Sequence, residues 1–271
     1  ARELIGDRAW IISKLEKPSA IDDLEEIIKL SDGIMVARGD LGVECPLQTV
    51  PVLQKKIVNA CRKYARPVIV ATQMLESMIE KPTPTRAEVS DVATAVYDGA
   101  DAVMLSAETA AGKYPVEAVK MMNKIITQVE ADPLFFQYMK NLQSVSCCMG
   151  EADSITYAAS EISKVLKNVK AVVTYTSSGR TTFLVSRERP DIPIVAVTPN
   201  IKVARQLGLV WGARRFINES TFQSFDRFED VAKTVALASG AANKGDHIII
   251  TGGFPLGVKG RTNMLHTVYI D

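Results

Sequence analysis

Gly33-Ile34-Met35-Val36-Ala37-Arg38-Gly39-Asp40-Leu41-Gly42 decides how this chain reads. Its first five residues are small or apolar on both faces, and the run then ends abruptly in charge and glycine. A strand with one wet face would alternate, so a run apolar on both sides reads as a parallel strand covered above and below. The same pattern recurs on either side. Trp10-Ile11-Ile12 leads into Lys14, Pro67-Val68-Ile69-Val70-Ala71 into Thr72-Gln73, and Ala102-Val103-Met104-Leu105 into Ser106. Helix-like segments lie between and after them, at 19–31, 47–65, 85–98 and 115–131, the last opened by Pro115, a residue tolerated in a first helical turn. Strand and helix alternating over short connections predict right-handed βαβ units. Four such units suit either a barrel fragment or an open sheet. In both, ligands bind at the carboxyl ends of the strands, where the polar residues of this chain gather.

The pattern breaks around 132–152. Asp132-Pro133 reads as a helix end, and 144–150 has no clear periodicity. We place the boundary there, giving domains 1–140 and 141–271. A second α/β series follows, with helices at 153–167, 179–189, 200–209 and 227–243. Its strands are Ala171 to Tyr175, Ile194 to Val197, Arg215 to Ile217 and His247 to Thr251, and an alternating run closes the chain from Met264 to Ile270.

With 32 Lys and Arg against 31 Asp and Glu, the formal charge is +1, so nothing points to nucleic acid or a membrane surface as partner. Any anionic ligand must be held by local groups. Composition, 47% apolar and 23% charged, is that of a globular chain. No apolar run approaches the ~18 residues of a membrane span. The chain opens on Arg2, Glu3, Asp7 and Arg8 rather than a signal peptide, and it lacks an initiator Met, which points to a natural start further upstream. Cys45, Cys61, Cys147 and Cys148 show no CxxC spacing and read as free thiols in a reducing cytoplasm.

Lys14 and Glu16, two apart, point the same way in a strand. Asp40, at the end of the next strand, adds a second carboxylate beside Glu16. Two carboxylates at a strand mouth suit Mg²⁺ or Mn²⁺, and a nearby lysine would stabilise a phosphoryl group or an enolate. A surface ion pair is the plainer reading of Lys14 and Glu16 alone. Ala37-Arg38-Gly39-Asp40 brings backbone N–H groups in a glycine-bearing turn that can cradle a carboxylate or phosphate. Thr72 and Ser106 end the next two strands and bring hydroxyls to the same rim, where a lone Ser or Thr is more often a helix cap.

In the second domain Thr176-Ser177-Ser178-Gly179-Arg180-Thr181 follows a strand and opens a helix, a pattern that suits phosphate at a helix N-terminus. The basic loop with Lys259 and Arg261 could close over the same ligand or be a solvated hairpin. His247 and His266 lack metal-ligand spacing and read as structural.

Five ordered blocks resemble the signatures of the pyruvate kinase family: Ile11-Ile12-Ser13-Lys14-Leu15-Glu16, Met35 to Gly42, Ala71 to Met78, Thr85-Arg86-Ala87-Glu88, and Met104 to Thr109. The resemblance implies a partial (β/α)8 barrel, its last four βα units, followed by a second α/β domain with a mainly parallel sheet. It implies phosphoryl transfer from phosphoenolpyruvate to ADP, giving pyruvate and ATP in the last step of glycolysis, with Mg²⁺ (or Mn²⁺) and K⁺ as cofactors. Lys14 would stabilise the phosphoryl group in flight, and Glu16 and Asp40 would hold the divalent metal. The backbone at Ala37, Arg38, Gly39 and Asp40, with Thr72, would hold the substrate carboxylate. Thr72 and Ser106 would serve a proton relay to the enolate carbon. The loops around Thr176–Thr181 and Lys259–Arg261 would take a phosphorylated allosteric effector, and the full-length form would be a homotetramer.

The resemblance starts near the family's fifth barrel strand. Four strands, the cap domain and the segments expected to bind K⁺ and much of ADP lie outside it. If the protein truly begins at Ala1, weak or no turnover is expected. A rival reading is a non-catalytic, sugar-phosphate-binding regulatory fragment. A metal-dependent pyruvate or enolate lyase is a third reading, against which the ordered blocks and the second domain both count.

Overall fold

Four short strands, β1 (Ile12–Leu15), β2 (Gly33–Ala37), β3 (Val68–Ala71) and β4 (Ala102–Met104), form one sheet in the order β1-β2-β3-β4, every pair parallel. These belong to a computed structural model that describes residues 1–141, 150–217, 225–255 and 261–271. The chain divides into two compact units, Ala1–Leu142 and Gln143–Asp271. Cys147, Cys148, Lys259 and most of the 144–150 stretch lie outside the described residues.

In the first unit the central strands are the buried ones. Ile34, Val36, Val68 and Val70 are fully covered, as their two-sided apolar runs require. β4 is only half-buried along its length and Ile12 on β1 is exposed, because among the described residues each pairs on one side only. The connecting helices bury apolar stripes against the sheet: Ile57, Val58 and Cys61 of Val50–Lys63, and Val92, Ala95 and Val96 of Arg86–Tyr97. Thr85 and Glu88 start the latter with a reciprocal capping box.

Several element boundaries differ from the sequence reading. Residues 19–31 break at Asp23 into Ser19–Asp22 and Leu24–Leu30. The turn expected after β2 is a short helix, Arg38–Glu44. Pro133 opens a helix, Pro133–Asn141, rather than only closing one. Proline fits a first turn, and the Asp132 carboxylate accepts from the Leu134 N–H at 2.9 Å, capping the new helix.

The second unit holds β5 (Val169–Tyr175), β6 (Ile194–Thr198), β7 (Ala213–Ile217), β8 (His247–Gly252) and β9 (Met264–Tyr269), ordered β7-β6-β5-β8-β9. Only β9 runs antiparallel. Successive strand residues feed opposite cores. Ala171, Val173, Ile248 and Ile250 pack with Phe228 on one face, while Val172, Ile194 and Ile249 pack with Ala159 and Val185 on the other. Each buried Val, Ile or Phe contributes roughly 1.5–3 kcal/mol, so both faces stabilise the sheet. His247 packs on the Tyr269 ring, and His266 lies 3.6 Å from the Glu229 carboxylate. Among the described residues no helix is long and apolar enough to cross a membrane.

Candidate active site

The period of two along β1 brings Glu16 to the same side as Lys14. β2 lies beside β1, and the helix after it delivers Asp40 to the same point. The Lys14 ammonium donates to Glu16 Oε2 at 2.6 Å and to Asp40 Oδ2 at 2.7 Å. All three side chains are about half exposed. The hydrogen bond to Asp40 first, then that to Glu16, raises the Lys14 pKa to about 12, so it is charged at neutral pH. Two carboxylate oxygens converging on one point are the hard donors that Mg²⁺ or Mn²⁺ takes, so the pair fits such an ion. Among the described residues no group of three or more His, Cys, Asp or Glu could hold a metal. An ion on this pair would therefore complete its shell with water or substrate oxygens.

The strand-end turn after β3 carries strain. Thr72 and Gln73 both adopt positive φ, 71° and 54°. For a β-branched residue this is an outlier, and such strain persists only where surrounding bonds over-determine it. Here those bonds come from the neighbouring strand end. Gly39 N–H donates to Thr72 Oγ1 at 2.9 Å, and the Arg38 guanidinium donates to the Thr72 carbonyl at 2.8 Å. A Cβ on Gly39 would sit 3.0 Å from that Thr72 oxygen, which is why glycine serves there. Arg38 is held in turn by Asp91, which accepts from both terminal nitrogens at 2.6 Å. Arg38 thus braces the Thr72 backbone.

Ser106 reaches the same rim through the pairing of Ala71 with Met104. Its hydroxyl makes no hydrogen bond to the Lys14 cluster among the described residues. Its N–H donates to the buried Glu108 carboxylate at 2.7 Å, and the other oxygen of Glu108 accepts from Leu75 N–H at 3.1 Å. Glu108 so ties the turn after β4 to the turn after β3. Neither Asp91 nor Glu108 was singled out from the sequence as a site residue. Each lies on a helix face where a carboxylate reads as ordinary surface.

In the second unit the end of β5 and the start of helix Arg180–Arg187 frame an open cleft of about 120 Å³. Thr176, Ser177, Ser178, Arg180, Thr181 and Arg261 line it, joined by Thr262 beside Arg261 and by Asp153, which sequence reasoning missed. Gly179 turns the chain with φ 88°, its N–H bonded to Thr176 Oγ1 at 2.8 Å. The hydroxyls of Thr181 and Thr262 are 2.7 Å apart and hold the two walls together.

Residues 2–119 match the family description "Pyruvate kinase, barrel domain", and residues 153–268 match "Pyruvate kinase, alpha/beta domain". A pyruvate kinase of Agrobacterium vitis is 48% identical over 270 residues, covering 100% of this chain and 55% of the relative. One of Methylorubrum extorquens is 46% identical over 269 residues, covering 99% and 56%. Among solved structures, a pyruvate kinase from Cryptosporidium parvum superposes with a TM-score of 0.88 at 35% identity, covering 97% of this chain and 52% of that one. The chain spans about half the length of the relatives it matches.

Proposed function

The chain belongs to the pyruvate kinase family, its first unit part of the barrel and its second the α/β domain, and on that premise we propose that it serves phosphoryl transfer from phosphoenolpyruvate to ADP. The observation that carries this reading is the convergence of Lys14, Glu16 and Asp40 at adjacent strand ends, with the braced Thr72 turn beside them. Lys14 lays its charge on the phosphoryl group as it leaves the enol oxygen for the terminal phosphate of ADP, and preorganised charge of this kind dominates such catalysis. Glu16 and Asp40 hold the divalent ion, which when bound offsets charge on the phosphoryl and enolate oxygens. The backbone of Ala37, Gly39 and Asp40, with Thr72, orients the substrate carboxylate. Thr72 and Ser106 belong to the path that brings a proton to the enolate carbon and yields pyruvate. K⁺ is the second cofactor of this reading, and no described residue is assigned to it. The cleft of the second unit takes a phosphorylated effector, its phosphate on the Ser177–Thr181 turn with Arg261 opposite.

The test is pyruvate formation from phosphoenolpyruvate and ADP with Mg²⁺ and K⁺. Lys14→Met is expected to lower turnover by at least ~10²–10³-fold, the scale of removing one preorganised donor. Equal turnover in both proteins would sink the role of Lys14. A second reading, effector binding without transfer, rests on the cleft of the second unit lined by Thr176, Ser177, Ser178, Arg180, Thr181 and Arg261. For it, effector binding with no turnover in either protein is the supporting result.

A further inference from the structure

We propose that Lys14 is a built-in counter-cation for the Glu16 and Asp40 carboxylates, and that a divalent ion enters the site by exchange with its ammonium. This rests on reading that pair as metal ligands. The ammonium lies 2.6 Å from one carboxylate oxygen and 2.7 Å from the other. Mg²⁺ sits 2.0–2.1 Å from its oxygen ligands, so an ion shared by these two oxygens falls in the volume the ammonium fills. The two cations cannot occupy it together.

The surroundings suit an exchange. Lys14 is held by these two bonds, its side chain is about half exposed, and its flexible four-carbon stem lets the ammonium swing aside without disturbing β1. While it is in place, the two like charges brought together at the strand ends are partly offset within the chain. Once displaced, the ammonium remains tethered a few ångströms from the carboxylates, free to meet an anion. Entry of the ion therefore turns Lys14 from a partner of Glu16 and Asp40 into an unpaired charge facing the substrate. Metal before phosphoenolpyruvate is the order this geometry favours.

Exchange predicts that removing the competing charge tightens metal binding without substrate. The probe is Mn²⁺ alone, titrated into the native protein and variants while the free ion is followed by its electron paramagnetic resonance signal. No turnover is needed. Lys14→Met should bind Mn²⁺ about tenfold more tightly, the scale of one unit charge a few ångströms away in a largely aqueous setting. Lys14→Gln should do the same, which guards against a folding defect in the first variant. Lys14→Arg keeps the charge and should bind no more tightly than native. Glu16→Gln locates the ion and should weaken binding. If Lys14→Met and Lys14→Gln bind no tighter while Glu16→Gln weakens binding, the exchange is overturned and the ligand pair stands. Tighter binding by Lys14→Arg as well would make the effect one of packing and also overturn it. If Glu16→Gln leaves Mn²⁺ binding unchanged, the ligand reading falls and the exchange with it.

Discussion

Asp91→Ala tests whether the rim at Thr72 is a strained turn held in place by a clamp. Positive φ at Thr72 and Gln73 costs about 1–2 kcal/mol per residue. The opposing bonds come largely from Arg38, which donates to the Thr72 carbonyl at 2.8 Å while Asp91 takes both its terminal nitrogens at 2.6 Å. The Arg38 side chain is 12% exposed and that of Asp91 36%, so the pair lies between two regimes. A fully exposed pair is worth up to ~1 kcal/mol, and breaking a buried one costs roughly 3–5 kcal/mol. We expect Asp91→Ala to destabilise the first unit by about 2 kcal/mol, which at an m-value of ~2 kcal/mol/M lowers the urea midpoint by about 1 M. The chain has two tryptophans, and Trp10 is the one in this unit. In a Trp211→Phe background its fluorescence reports the first unit alone. Gln73→Gly, placed on top of Asp91→Ala, should recover about 1 kcal/mol by relieving one strained φ. A loss below ~0.5 kcal/mol for Asp91→Ala, or no recovery from Gln73→Gly, would refute the clamp.

Two further outcomes concern contacts elsewhere in the chain. Burial pushes the Glu88 carboxyl up, but hydrogen bonds from the Ser77 hydroxyl and N–H and from Thr85 outweigh it and hold it below its ordinary 4.5. A depressed carboxyl contributes stability above its unfolded pKa and loses it as pH falls through the folded one. Glu88→Gln should therefore lower the urea midpoint at pH 7, with the gap to native closing below about pH 4.5; a gap independent of pH would count against it. In the second unit, Arg261→Ala should weaken binding of a sugar phosphate such as fructose bisphosphate by roughly tenfold, the scale of one charge-assisted contact. Calorimetric titration reads this directly, and unchanged affinity would mean that the cleft at Thr176–Thr181 is not the effector site.

What the sequence disclosed depended on how far each feature reaches along the chain. The strands were legible because both-faced burial writes itself into five consecutive residues, as in Gly33–Ala37. Lys14 and Glu16 were legible as a pair because strand geometry alone makes residues two apart neighbours, and Asp40 followed because consecutive βα units lie side by side. Arg38 could not be read this way. It sits between Ala37 and Gly39 in a rim motif, and nothing local marks its side chain as a brace. The helix that starts at Arg38 turns its side chain toward β3, and its partner Asp91 lies 53 residues away. The strain at Thr72 was hidden for a related reason, since a threonine is among the last residues expected at positive φ. Likewise the alternation of 264–270 announced a strand without its direction, and only the antiparallel pairing of β9 with β8 explains how Thr262, 81 residues from Thr181, reaches its hydroxyl. The groups proposed to meet a ligand were thus written locally at strand ends, where backbone direction alone aims them. The groups that hold those ends still, Asp91 and Glu108 above all, act across strands through single side chains, and no period in the sequence marks them.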